Sequence, residues 1–583
     1  MRSLRLALAV WLVAQSSTHA YTVNYNASGV YPRWGLVNLN LTVPTNCVNR
    51  TTRAVRYYLA SDGFSVTNTT AELDALRASF GQWLAITNTH LKFEEAGLAS
   101  PPVDVNTGDN SNILYWAKSS TVVKGGTANI SGSLGVTFYS FDPSDGAIRQ
   151  ADIVFNGVEQ TWFTSVTNTT NPGYIVEGVA LHEMGHFIGL GHSPVGGASM
   201  LYAGNSGISL QAGLSADDVA GARFVYPLAP TNYGAIKGTV TRNGGPLFGG
   251  AVYVQDSATN IIVGAVSLTN GTYHVSALRP GAYYVRVAPL DPTGVADYLA
   301  SGNQIGAPAF SAADPYFLPT TNIATTVVAN VTNTVNFAVV SNAPAFRITE
   351  IRKATTSSGS YSWSGLGTTM RAGESNYFIG VGSANLPTSA AALSISGDGL
   401  TLGSTTFNAN AFGTGLNFMS VPISVSSNAT PGLRSFIVTQ GGNVAYANGY
   451  LEIQPAVTDD NFDGLDDMFQ RAYFPVFTAT DAAPGADPDA DGFSNYAEKV
   501  AATVPTNGAS FLKIQSVTRN GSGATVVWQS VLGKKYQVST RTNLSTSVWQ
   551  NIGAPVPAGG TTAQYLDAAA TTAVRLYRVQ VLP

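Results

Sequence analysis

Residues 179–202 read VALHEMGHFIGLGHSPVGGASMLY, and within them His182, Glu183, His186, Gly189 and His192 stand as HExxHxxGxxH. His182 and His186 are four residues apart, so on a helix both imidazoles leave the same face and reach one metal ion. Glu183 is offset from that face, which sets its carboxylate beside the open coordination position. Gly189 can end the helix in a left-handed turn, and the reversed chain then returns His192 as a third ligand. Three neutral nitrogens with one position left for water describe catalytic zinc, whereas structural zinc is usually closed by four protein ligands, often cysteines. The chain has a single cysteine, Cys47.

This stretch resembles the metzincin metallopeptidases, and His192 followed by Ser193 resembles their matrixin branch. The resemblance implies a methionine turn beneath the ligands, matched by Met200. It implies one catalytic Zn2+, with Glu183 taking a proton from the zinc-bound water. Tyr202 lies two residues after Met200, as in astacins and serralysins, where such a tyrosine ligates zinc or stabilises the oxyanion. A packed tyrosine near the pocket is the other reading. The similarity extends over residues 51–228, from a strand at Arg53–Leu59 to the run LSADDVAGARFVYP.

Thr69 and Glu72 read as a capping box opening a helix to Ala85, with Leu73, Leu76, Phe80, Trp83 and Leu84 on its buried face. Further strands are expected at Asn112–Trp116, Ser133–Ser140 and Asp152–Asn156. By resemblance, Ser133–Ser140 is the edge strand to which an extended substrate adds. Ser215 with Asp218 caps a closing helix that runs to about Tyr226. Asp142, Asp145 and Asp152 are open to two readings, a calcium site or an acidic turn. Cys47 lacks the surroundings of the latency cysteine of matrixins.

The full length of 583 residues exceeds what one core accommodates. With 11% charged residues and 60 glycines, the composition favours β-rich modules joined by turns. A net charge of -4 and the absence of a basic run argue against a nucleic-acid partner. Residues 1–20 read as a secretory signal peptide, with Arg2 and Arg5 before an apolar run. No later run is long enough to span a membrane. The expected mature protein is a secreted, extracellular monomer, or one held at the cell surface.

After a lead-in at 21–50 and the metal domain at 51–228, residues 233–342 resemble a prealbumin-like sandwich and 343–455 an immunoglobulin-like one. Residues 456–505 carry two acidic loops. Asp487, Asp489, Asp491, Gly492, Phe493, Asn495 and Glu498 fill positions 1, 3, 5, 6, 7, 9 and 12 of an EF-hand-type Ca2+ loop. Asp459, Asn461, Asp463 and Asp467 begin a weaker one with Gln470 at position 12. The pair resembles dockerin and thrombospondin type 3 repeats. Residues 506–583 form a last β module.

The expected architecture is therefore multidomain: an α+β metzincin domain with a mixed twisted sheet and three helices, then all-β sandwiches and a small calcium segment. The expected function is hydrolysis of extracellular proteins or peptides, with surface or polymer binding by the β modules. The alternative is an adhesion protein built on an inert fold of the same family. Retention of Glu183 favours the enzyme.

Overall fold

The computed structural model describes residues 23, 30–37, 43–165, 173–202, 204, 211–256, 262–289, 317–355, 362–364, 367–457, 459, 463–543, 548–570 and 574–582. The expected signal peptide and the expected ligand Asn461 lie outside them. The chain is mostly β with a few helices, and it divides into two compact units, Met1–Asn461 and Phe462–Pro583. Among the described residues no helix is long and apolar enough to cross a membrane.

The first unit opens with a five-stranded sheet made of β1 (Val55–Ala60), β2 (Phe93–Ala99), β3 (Ile113–Ala117), β4 (Gly135–Phe141) and β5 (Ile148–Asn156), in the order β2-β1-β3-β5-β4. All pairings are parallel except β4 with β5. β5 is almost wholly buried, as its apolar sequence requires of an interior strand. β4 lies at the edge, where Ser133–Ser140 was expected. β2, FEEAGLA, is half-exposed and shows no clean alternation, so it was not expected as a strand.

Helix α1 (Thr69–Leu84) buries Leu73, Leu76, Phe80 and Trp83, but Leu84 is exposed. The expected capping box is absent. Asn68 is the N-cap, and Glu72 instead accepts from the Phe64 and Ser65 amides and the Ser65 hydroxyl in the loop before the helix. Helix α2 (Val176–Phe187) packs on α1. The Trp83 indole donates to Leu181 O at 3.2 Å, and the Phe80 and Phe187 rings meet edge to face. Helix α3 (Ala216–Val225) starts with the expected Ser215–Asp218 capping box.

Residues expected as a polar lead-in enter this core. Trp34 is buried against Phe187 and donates its indole N–H to Phe187 O at 2.9 Å, while Val43, Cys47 and Val48 are buried as well. Burial pushes the Cys47 thiol up to about 12, so it is protonated and unreactive at neutral pH.

Two β-sandwiches complete the first unit. One pairs a sheet around Gly234–Arg242 with a sheet of Ile262–Val266, Gly250–Asp256, Gly281–Pro289 and Ile323–Val327. The other pairs sheets built around Tyr377–Ser383 and around Gly432–Gln440 with Asn443–Gln454. The second unit holds two short helices, α4 (Asp467–Tyr473) and α5 (Asn495–Ala501), and two three-stranded sheets closed over Trp528 and Tyr536.

Trp83 is fully buried where α1 meets α2. Trp83→Ala is expected to lower the opening free energy of α2 by about 3–5 kcal/mol, measured by hydrogen exchange of its amides.

Candidate metal centre

His182 and His186 stand one turn apart on α2, which stops at Phe187. Gly189 then takes φ +97, as the sequence required, and a Cβ there would sit 2.1 Å from Pro32 O. Tyr226, the C-cap of α3, holds the same turn by donating its hydroxyl to Ile188 O at 2.7 Å. The reversal brings His192 back. Nε2 of His186 lies 3.0 Å from Nε2 of His182 and 3.2 Å from Nε2 of His192.

Two of the rings have their tautomer set by backbone carbonyls. His182 Nδ1 is 2.8 Å from Ser199 O, and His186 Nδ1 is 2.8 Å from Leu190 O, so each Nδ1 carries the proton. The Nε2 lone pairs of these two rings are thereby left facing each other. Burial lowers the basicity of both, with His186 brought down to about 4, so protonation does not relieve the opposition at neutral pH. A shared cation does. The separations approach the edge, about 3.3 Å, of a tetrahedron with zinc–nitrogen bonds of about 2.05 Å. The three histidines thus form a group that could hold a metal ion.

Glu183 accepts from the Thr137 hydroxyl of β4 at 2.7 Å through Oε2. A Cβ at position 135 would come within 2.8 Å of the Glu183 side chain, so only glycine leaves room for this carboxylate under the edge strand. Burial pushes the Glu183 carboxyl up to about 8, and the Thr137 hydrogen bond opposes the shift. Met200 packs directly on α2, since a Cβ at Gly185 would meet its sulfur at 2.1 Å. Tyr202 sets its ring edge-on to His192, with centroids 6.4 Å apart.

The backbone around Met200 is fastened by one carboxylate. Asp218 Oδ2 accepts from Ser199 N, Ser215 N and Ser215 Oγ at 2.7–2.9 Å, and Oδ1 accepts from Met200 N at 3.1 Å. The cap of α3 therefore also fixes the carbonyl that orients His182. Sequence reasoning found Asp218 as a capping residue and missed this second role. Thr137, Gly135 and the carbonyls of Ser199 and Leu190 carry no local signal, because their partners lie on other elements or depend on loop shape.

The other acidic sites fall differently. Asp142 accepts from Ser144 and pairs with Arg149, while buried Asp152 accepts from the amides of Asn106 and Ile113, so the structure does not gather them around one point. Asp487, Asp489 and Asp491 do converge. Buried oxygens of Asp489, Asp491, Asn495 and Glu498 have no hydrogen-bond partner, and Gly492 makes the sharp turn with φ +91. Burial, with the charges of Asp489, Asp491 and Asp487, pushes Glu498 up to about 7. In the earlier loop, the Gln470 amide donates to Asp463 Oδ2 at 2.8 Å and to Ala482 O at 2.9 Å, while Asp467 is buried at the start of α4. Residues 458 and 460–462, on either side of Asp459, fall outside the described residues.

The sequence model of the matrixin family matches residues 49–227. Metalloendoproteinase 4-MMP of Arabidopsis thaliana is 27% identical over 156 residues, covering 26% of this chain and 40% of that protein. Metalloendoproteinase 2-MMP of the same plant is 26% identical over 221 residues, covering 37% of this chain and 48% of that protein. The chain therefore contains a matrixin-like domain, a family that implies zinc, and it spans less than half the length of these curated relatives. Among solved structures, the major pilin subunit BcpA of Bacillus cereus is similar over 38% of this chain and 69% of its own, at 11% identity. The TM-score of that match is 0.13.

Asp218→Ala releases Ser199 and Met200 together. Metal affinity is expected to fall about 10–100-fold, measured by competition with a chromogenic chelator.

Proposed function

We propose that the chain is a secreted zinc endopeptidase of metzincin type that hydrolyses extracellular proteins. The convergence of three Nε2 atoms beside a buried glutamate carries this reading. Zinc held by His182, His186 and His192 would supply a polarising charge to the scissile carbonyl and the attacking water. Glu183, steadied by Thr137 and drawn back to its carboxylate form by the charge of a neighbouring cation, would accept the proton of that water and return it to the leaving nitrogen. β4, the edge strand of the sheet, would pair with an extended peptide through its backbone. Met200, packed on α2, would support the ligand helix, and Tyr202, edge-on to His192, would border the substrate. Export is supported by the basic start and apolar run of residues 1–20, and the downstream β modules suit a surface-bound or polymeric target.

One observation favours the second reading, an adhesion protein on an inert fold. His182, Glu183, His186 and His192 are only 1–2% exposed, so substrate must first gain entry. The two are separated by assaying zinc-loaded wild type and Glu183→Ala on casein and gelatin, with and without chelator. Wild type is expected to cut, and the variant to lose at least about 10³-fold in rate while binding zinc normally. Equal cutting by both, or none by a stoichiometrically zinc-loaded wild type, rejects the peptidase.

We also propose that Asp487, Asp489, Asp491, Phe493 O, Asn495 and Glu498 hold calcium, which would supply the partner their buried oxygens lack. A weaker calcium site at Asp459, Asn461, Asp463 and Asp467 is proposed from the sequence pattern alone. The carboxylates repel one another without a cation, so binding and ordering of the segment are coupled. Calcium is expected to slow trypsin cleavage at Arg471 and Lys499, and Asp487→Ala with Glu498→Ala to remove that protection. Equal cleavage rates in calcium and in chelator would sink the proposal.

A further inference from the structure

Between the third histidine and the methionine turn, Ser193–Ala198 is held chiefly by residues from far along the chain. Asp217 of α3 accepts from Ser193 Oγ at 2.6 Å and, through its other oxygen, from the amide of Gly264 at 2.7 Å. Gly264 sits in the Ile262–Val266 strand of the first sandwich, opposite Tyr253, whose hydroxyl donates to Pro194 O at 3.2 Å. On the other side, the Gly196 amide donates to Asn448 O of the second sandwich at 3.0 Å. Val195 and Ala198 are fully buried in a cluster with Tyr253, Ile262, Val266 and Leu433.

The fit is close on both sides. A Cβ at Gly196 would enter the Tyr450 ring at 2.4 Å, and one at Gly197 would meet Leu433 at 2.5 Å. A Cβ at Gly264 would strike Pro194 and Val195 at 2.7 and 2.9 Å. The two sandwiches are themselves joined by buried Arg286, which donates to Asn448, Ser435 and Gln255 at 2.6–2.9 Å and stacks over Tyr446. The Ser193–Ala198 segment is thus seated in a slot whose walls belong to two other modules.

Both ends of the seated segment reach the metal centre. Ser193 follows His192, and its amide donates to Met200 O at 2.7 Å, while Ser199 supplies the carbonyl that orients His182. A displacement of Val195 would therefore bear on the turn that carries His192 and on the carbonyl that orients His182. We propose that Gly264 and Tyr253, acting through Asp217 and Ser193–Ala198, are positioning residues for peptide cleavage, so that the metal domain reaches its working geometry only with both sandwiches attached. This rests on the peptidase reading.

Gly264 provides the test, because its backbone lies in an ordinary strand and valine suits that strand, so the side chain acts as a wedge against Pro194 and Val195. Full-length, zinc-loaded wild type, Gly264→Ala, Gly264→Val, Asp217→Asn and Glu183→Ala are compared on a panel of peptides. Gly264→Val is expected to raise KM about tenfold or more and to alter the preferred cleavage site, with Gly264→Ala and Asp217→Asn intermediate and one zinc retained per chain. In the metal-free chain, the Gly196 amide is expected to lose its hydrogen-exchange protection in Gly264→Val. Glu183-dependent cleavage with wild-type KM, site preference and Gly196 protection in Gly264→Val overturns this inference alone. Absence of Glu183-dependent cleavage in wild type overturns the peptidase reading and this inference with it.

Discussion

Lone pairs aimed at one point repel, and the architecture around α2 exists to hold them there. Helical spacing supplies two of the three nitrogens without outside help. The third needs a reversal that Gly189, Pro32 and Tyr226 enforce together. Ring orientation needs carbonyls at fixed positions, and the Ser199 carbonyl is fixed by a carboxylate that also caps α3. The centre's geometry therefore rests on contacts made by the protein itself. Its convergence is sustained by hydrogen bonds the ion does not contribute to, which is the condition for a preorganised site.

This division of labour explains what could be read from the chain in advance. The ligand set was legible because a helix and one tight turn are local objects with fixed periods. The α3 cap was legible for the same reason. Glu72 misled because the box pattern does not reveal that a preceding loop competes for the same carboxylate. β2 escaped because both of its faces are only half-covered, so burial left no alternation in its sequence. Trp34 looked like part of a polar tail, yet it is locked against Phe187, some 150 residues on in the chain.

The seat of Ser193–Ala198 was the least legible feature. Its glycines resemble ordinary loop glycines, and the reason for each lies beyond residue 260, in Gly264, Leu433 and Tyr450. A module boundary drawn from changes in sequence texture, such as the one near Pro227, separates elements that share a hydrophobic cluster in space. Texture reports how a segment folds, and says nothing of what it leans on.

Among the positions at which the two acidic loops differ, the twelfth, Gln470 in the first and Glu498 in the second, bears most directly on how each would respond to an ion. In the second loop a carboxylate waits with its oxygens unmatched. In the first, the Gln470 amide already lends its hydrogens to Asp463 and Ala482, a covalently attached stand-in for part of what a cation would do. A pair of equal loops could bind two ions in concert and switch steeply. With one loop partly filled by its own amide, the two loops would take up an ion separately, and the segment would stiffen gradually across a broad range of concentration, as a rheostat does.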